Sequence, residues 1–339
     1  MPLPSDRRQV GSTSLRLPRF GLGTAHLGGM FGRVSEPDSQ ATLQAAWDGG
    51  VRYYDTAPWY GRGLSEHRLG AFLCNRPRDE LVVTTKLGRV LHRPKDPAAF
   101  DRAPWGGGLN FDVEFNYSYD GFMRAYEQCL QRLALDTVDA LLVHDLDAES
   151  HGERFAGHAK DLESGIKALE ELKRAGDIKA IGMGINLASS LDNVATLVDL
   201  DFVLVAMPYT LIDQAVLHTG LARCVKRGIS VIIGAPFASG ILATGAGPGA
   251  RYFYRPAPDD VQAKVLRIEN VCRRHGVRLP SAALQFPLAH PAVVAVIPGA
   301  ARPSEVQANI ESFLASVPAD FWSELKTLGL IDPEAPTPV

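Results

Sequence analysis

The sequence predicts an α/β fold, a closed (β/α)8 TIM barrel with an N-terminal β-hairpin and long loops on its C-terminal face. Three observations predict it. Eight short runs rich in Val, Ile and Leu recur without polar alternation, as expected of parallel strands buried on both faces. Helical patterns lie between them, and the alternation continues from end to end with no low-complexity linker. Asp55, Lys86 and His144 fall at the ends of three of these runs, where a barrel assembles its active site. A doubly wound open sheet is the competing architecture for the same alternation.

The elements follow in order. Arg8 to Leu17 reads as a hairpin turning near Gly11-Ser12, and Phe20-Gly21-Leu22-Gly23 as the first strand. Further strands are expected at Val51 to Tyr54, Leu81 to Thr85, Val138 to Val143, Ile178 to Met183, Phe202 to Ala206, Ile229 to Ile233 and Val293 to Ile297. Helices are expected at Ala41 to Asp48, Ser65 to Leu73, Asp120 to Leu133, Leu162 to Ala175, Leu191 to Leu200 and Leu211 to Arg227. Ser65 reads as an N-cap, and Gly176 and Gly228 as C-cap glycines. One barrel domain spans 1–339 in this reading, with residues 1–18 as the hairpin and 316–339 as a C-terminal tail.

Two loops exceed what a barrel needs. The first, between Lys86 and Asp120, carries Trp105, Gly106 to Gly108, Phe111, Phe115, Tyr117 and Tyr119. The second, Ala235 to Asp259, is rich in Gly and Pro and holds Tyr252, Phe253 and Tyr254. Both follow strands, so both belong to the catalytic face, and loops of this length tend to be lids or binding loops.

Composition narrows the function class. Apolar residues make up 46%, charged residues 22%, and the formal charge is -3, the balance of an ordinary globular protein with no basic excess for nucleic acid. The start of the chain has no apolar leader, and no run is long enough to span a membrane, so a cytoplasmic protein without membrane partners is expected. Cys74, Cys129, Cys224 and Cys272 lie far apart without zinc spacing, and His144 and Asp145, as strand neighbours, should point to opposite faces. No metal is expected.

Four residues converge if the barrel closes: Asp55, Lys86 and His144 at strand ends, and Tyr60 five residues beyond Asp55. A phenol titrates near pH 10, so Tyr60 exchanges protons with an alcohol only if its anion is stabilised. Lys86 supplies that charge, Asp55 keeps the buried ammonium protonated, and His144 donates to the substrate oxygen. Each residue alone has a structural reading as a turn cap, a packing aromatic, a loop cation or a core histidine. Four together at strand ends favour the chemistry.

The stretches Gly21-Leu22-Gly23-Thr24, Asp55-Thr56-Ala57-Pro58-Trp59-Tyr60-Gly61, Thr84-Thr85-Lys86, Leu141-Leu142-Val143-His144 and Ile297-Pro298-Gly299 resemble the aldo-keto reductases, over roughly Arg8 to Asn309. The resemblance implies a nicotinamide-dependent oxidoreductase with Tyr60 as general acid/base, Lys86 and Asp55 tuning it, and His144 positioning substrate. It implies a small-molecule substrate, contacted by Trp59, Tyr60 and His144. It implies cofactor contacts at Gly23, Thr24, Asp55, Asn186, Ala235, Phe237, Ser239, Gly240, Ile297, Gly299, Ala300, Glu305 and Asn309. The chain departs from the family where a Ser-Asn pair and a Gln usually hold the carboxamide: Gly184-Ile185 stand there, with Asn186 one place later, and Ala206. Gly234 replaces the aromatic that stacks on nicotinamide, leaving Phe237 or Tyr209 to cover the ring. Gly299 and Glu305 replace the Lys and Arg that grip the 2′-phosphate of NADP, so NAD is expected rather than NADP.

A narrower likeness, in Ala57 to Glu66, Phe115 to Gly121 and Ala283 to Pro287, is to the branch of D-threo-aldose 1-dehydrogenases (L-fucose and L-galactose dehydrogenases) and pyridoxal 4-dehydrogenase. It implies oxidation of an aldose of L-fucose, L-galactose or D-arabinose type at the anomeric carbon, giving a lactone. Pyridoxal oxidised to 4-pyridoxolactone is one alternative; a low-turnover nicotinamide-binding sensor barrel is another. A monomer or small homo-oligomer is expected.

Overall fold

Eight strands make one parallel sheet in the computed structural model, which describes residues 3–191 and 199–338. They are β3 (Leu22–Gly23), β4 (Tyr53–Asp55), β5 (Val82–Leu87), β8 (Ala140–His144), β9 (Ala180–Ile185), β10 (Phe202–Ala206), β11 (Ser230–Gly234) and β14 (Val293–Ile297). Each neighbours the next in that order, and all pairings are parallel. Closure comes from bridges Phe20↔Val296 and Gly23↔Gly299, with Gly21 N donating to Val296 O (3.0 Å) and Gly23 N to Pro298 O (3.1 Å). Every expected strand is present and the sheet closes, so the open-sheet alternative falls.

Packing inside the barrel explains the strand composition. Tyr53, Val82, Leu142, Ala180, Phe202, Leu204, Ile232 and Val294 fill the interior as one apolar cluster. Gly182 on β9 is required there, because a Cβ would lie 2.6 Å from the Phe202 ring. The hairpin, β1 (Arg7–Gln9) against β2 (Arg16–Pro18), sends Val10, Leu15 and Leu17 into the same cluster and stoppers the end of the barrel opposite the site. Outward faces of the strands pack on the helices in a second, larger cluster running from Phe20 to Ala335. In the C-terminal segment, the helix Ala319–Thr327 buries Phe321, Trp322 and Leu325.

Local signals set most helix ends. Ser35 and Ser118 cap the helices Glu36–Asp48 and Tyr119–Leu133, accepting from Asp38 N and Gly121 N. Gly176 and Gly228 adopt the left-handed C-cap conformation expected of them. Ser65 does not cap: the helix Leu64–Leu73 begins after left-handed Gly63, and the Ser65 hydroxyl donates inward to Thr24 O at 2.8 Å. The helix expected from Leu211 starts only at Leu217, because the Thr210↔Asp213 bridge turns the chain first. The helix expected at Leu191 to Leu200 lies largely outside the described residues. The first long loop is partly regular, since β6 (Arg89–His92) pairs antiparallel with β7 (Asp112–Phe115). In the second, β12 (Arg251–Tyr252) and β13 (Arg255–Pro256) form a small hairpin. Among the described residues no helix is long and apolar enough to cross a membrane.

Candidate active site

Adjacent strands β4 and β5 bring Asp55 and Lys86 together at the C-terminal mouth. The Lys86 ammonium lies 2.6 Å from Asp55 Oδ2 and donates to Thr56 O at 2.8 Å, and both side chains are almost wholly buried. Thr84 Oγ1 donates to the other carboxylate oxygen at 2.8 Å. Tyr60 stands in the turn after β4 with its ring centroid 4.7 Å from Lys86 Nζ and 6.0 Å from the His144 ring, edge to face. The three residues at strand ends and Tyr60 in the turn after β4 therefore come together at one mouth.

Electrostatics within it are one-sided. Burial pushes the Tyr60 phenol up, and the Lys86 charge is the main force pulling it back down. Burial alone would lower Lys86, but Asp55 and Tyr60 outweigh it and hold the ammonium above its usual range. Burial raises Asp55 against the opposing pull of Lys86. His144 is pushed well below the ordinary histidine range by burial, then by the charges of Arg89 and Lys86, so its imidazole is neutral. A neutral imidazole beside a phenol that shares a pocket with an ammonium can donate one hydrogen bond while the phenol moves one proton.

Asp145 and Arg89 complete the mouth. Asp145 adopts a left-handed backbone (φ 45°), and that turn brings its carboxylate to 3.4 Å from His144 Nε2. The rule that strand neighbours point apart fails here because the strand ends at His144. Arg89, just beyond β5, pairs with Asp145 at 3.0 Å and lies over the rings of Phe115 (5.1 Å) and Trp59 (5.7 Å). A lone cation after a strand carries no signal in a single sequence, which is why Arg89 was missed.

The first long loop closes one wall. Trp105 is buried, with its ring 5.5 Å from Trp59 and 5.8 Å from Tyr60. Gly106 N and Leu109 N tie the loop to Gly29 O and Gly61 O. Tyr117 belongs to the core instead: it is fully buried and donates to His144 O at 2.9 Å.

The residues expected around a cofactor differ in their freedom. Ala235, Ala238, Ser239 and Gly240 have positive φ, and the Ala238 and Gly240 N–H groups donate to Ala235 O and Phe237 O at 2.9 Å, so this turn is closed by its own backbone. Ser239 Oγ accepts from Tyr254 N at 2.9 Å. Phe237 is half-buried against the core. Gly23 and Gly299 meet as backbone across the barrel seam, and a side chain at Gly299 would run into the His26 ring. Ile297 and Ala300 are buried, and Asn309 Nδ2 donates to Gly299 O at 3.3 Å. Thr24 is fully buried with its hydroxyl donating to Asp55 O at 2.9 Å, which makes it a brace for the strand end. Glu305 accepts from Ala301 N at 2.8 Å and from Arg302 at 2.9 Å.

The aromatic side chains divide between the core and the mouth. Tyr209 is fully buried against Phe286 and His290 and does not reach the mouth. Tyr254, from the aromatic run of the second loop, does: its hydroxyl donates to Asn186 Oδ1 at 3.2 Å and its ring stacks on Phe31 at 6.3 Å. A Cβ at Gly234 would lie 2.9 Å from the end of the Leu204 side chain, which would have to shift to admit it.

A model of the aldo/keto reductase family matches residues 19–329. The chain is 39% identical to the pyridoxal 4-dehydrogenase of Microbacterium luteolum over 337 residues, covering 96% of this chain and 98% of that protein. It is 37% identical to a D-threo-aldose 1-dehydrogenase of a Pseudomonas species over 345 residues, covering 99% of this chain and all (100%) of that protein. Among solved structures, an aldo-keto reductase from Bacillus halodurans superposes with a TM-score of 0.74 at 22% identity, covering 96% of each chain. That last likeness is one of fold.

Proposed function

The chain belongs to the aldo/keto reductase family, a family of nicotinamide-dependent oxidoreductases, and from that premise we propose that it oxidises an aldose at its anomeric carbon with NAD, giving the lactone. The observation that carries this reading is the mouth in which Tyr60 stands against the buried Lys86–Asp55 pair with neutral His144 opposite. The residues present fit the cofactor: the Asn186 amide stands beside the mouth, and Gly23 and Gly299 meet at the barrel seam as backbone without side chains.

When bound, nicotinamide supplies the acceptor for the hydride leaving the anomeric carbon. The protein handles the proton. Tyr60, its anion favoured by Lys86, takes the hydroxyl proton of the substrate, while a His144 N–H donates to the same oxygen and holds it beside the phenol. Asp55 keeps Lys86 charged throughout. Trp59 and Trp105 offer flat apolar faces for a sugar ring and exclude water. Pyridoxal is the second substrate class, favoured by the 39% identity to a pyridoxal 4-dehydrogenase. A panel of aldoses and pyridoxal with NAD, followed by NADH absorbance, tests the reading; single-turnover hydride transfer too slow to sustain turnover on any of them would favour a sensor role instead.

Trp105→Ala is expected to raise KM for substrate about tenfold, the scale of one lost aromatic contact (~1.4 kcal/mol), with cofactor KM unmoved. Equal changes in both would make the loop structural.

Glu305 is the residue we assign to the choice of NAD. Burial raises its carboxyl, but the Ala301 N–H and Arg302 outweigh that and hold it below the usual range, so it is ionised at neutral pH. A 2′-phosphate at that position would meet a carboxylate, a repulsion of about 1–4 kcal/mol at close range. Arg302, the cation nearest to hand, is already paired with Glu305. Glu305→Arg removes the repulsion and frees Arg302. The ratio of kcat/KM for NADP over NAD should then rise by between about fivefold and a thousandfold, matching that energy. A wild-type enzyme that already prefers NADP would refute the assignment.

A further inference from the structure

We propose that Asp145, held by Arg89, is a positioning residue that fixes the Nε2–H tautomer of His144 and the amide orientation of Asn186. This deepens the reading above, in which His144 meets the substrate oxygen and Asn186 the cofactor.

Asp145 is over-determined. Its N–H donates to Gly184 O at 3.0 Å, extending the β8–β9 ladder one residue past the His144↔Gly184 pair. Its carbonyl accepts from His151 Nε2 at 2.9 Å. Its φ of 45° lies in the left-handed region, which Asp and Asn enter more readily than most residues. Both anchors hold the backbone in that turn, and the turn aims the carboxylate back across the mouth.

The carboxylate then gathers three groups. Arg89 Nη2 donates to Oδ2 at 3.0 Å, Asn186 Nδ2 donates to Oδ1 at 2.9 Å, and His144 Nε2 lies 3.4 Å from Oδ2. An ionised carboxylate only accepts hydrogen bonds, so each group facing it must present a proton. For Asn186 this turns the NH2 toward Asp145 and the carbonyl oxygen away, where Tyr254 donates to it. For neutral His144 it selects the proton on Nε2. The other nitrogen, Nδ1, is buried without a hydrogen-bond partner among the described residues. A buried N–H left unpaired is costly, so Nδ1 is the poorer place for the single proton.

Length matters as much as direction. At 3.4 Å and without hydrogen-bond alignment the Nε2 contact is an electrostatic one, so the N–H is available to a substrate oxygen at little cost. Asp145 thus keeps the donor ready without competing for it. Arg89 holds Asp145 in place: it is buried, and its guanidinium lies over the rings of Phe115 and Trp59.

The test reads the tautomer directly, by nitrogen-15 NMR of histidine-labelled protein without cofactor or substrate. Wild type should show His144 as the single Nε2–H form. Asp145→Asn preserves the left-handed backbone but replaces an acceptor-only group with an amide that donates as well, and should give a mixture or the Nδ1–H form. Its kcat should fall by about 10–100-fold, the usual scale for losing a partner that orients a site group, with KM for substrate changing less. Because Asp145→Asn leaves the Arg89 charge buried and unpaired, the double variant Arg89→Gln/Asp145→Asn removes both charges and should show the same loss of tautomer preference. A His144 tautomer unchanged in both variants overturns the proposal. The NMR arm is decided even if the chain oxidises neither sugar nor pyridoxal, so it fails or stands apart from the function reading.

Discussion

Tyr60→Phe is expected to lower kcat by roughly 10²–10⁴-fold, the scale of a lost general acid/base, while cofactor Kd stays within about twofold. The substitution removes one oxygen and keeps the ring that packs 5.8 Å from Trp105 and 6.0 Å from His144. Packing is therefore conserved and only proton transfer is lost. Steady-state kinetics on the best substrate of the panel, with cofactor binding measured by fluorescence, separates the two. Turnover at the wild-type rate would remove Tyr60 from the chemistry.

Lys86→Met is expected to change two observables at once. The Lys86–Asp55 pair is buried at 2.6 Å, so deleting the cation strands a carboxylate whose remaining side-chain partner is the Thr84 hydroxyl. Breaking a buried pair in this way typically costs about 3–5 kcal/mol, which denaturant unfolding would read as a lowered midpoint. The second observable is the pH profile. Lys86 is the main influence lowering the Tyr60 phenol, so its loss raises the pKa of that group. In the oxidative direction activity rises as the phenolate forms, and the rising limb should therefore move to higher pH. Lys86→Met/Asp55→Asn, which removes both charges, should recover most of the stability but not the limb. A profile that stays in place in both variants would refute the pairing as the source of Tyr60 activation.

How much of this was legible beforehand differs by element. The strands were, because a run such as Ile178 to Met183 or Val293 to Ile297, apolar on both faces, has few stable placements other than a covered parallel sheet. Glycine C-caps at Gly176 and Gly228 were legible for a local reason, since the left-handed turn after a helix favours a residue without a Cβ. The sequence context of Ser65 suits a cap, whereas its hydroxyl is drawn to Thr24, just past β3 and forty-one residues earlier. The left-handed turn of Asp145 was equally invisible, since the acceptor and the donor that hold it come from β9 and from His151.

The sequence by itself therefore determined the barrel, the family resemblance and the four residues Asp55, Tyr60, Lys86 and His144, because strand periodicity and residue type are local and survive reading one position at a time. Only the tertiary structure decided what surrounds them. That Tyr254 rather than Tyr209 reaches the mouth, that Thr24 braces a strand, that Arg302 is spent on Glu305, and that Asp145 faces His144 all depend on partners far apart in the chain. A side chain's direction at a strand end is set by backbone torsion and by the hydrogen bonds that fix it, and neither is encoded in the residue's own neighbours.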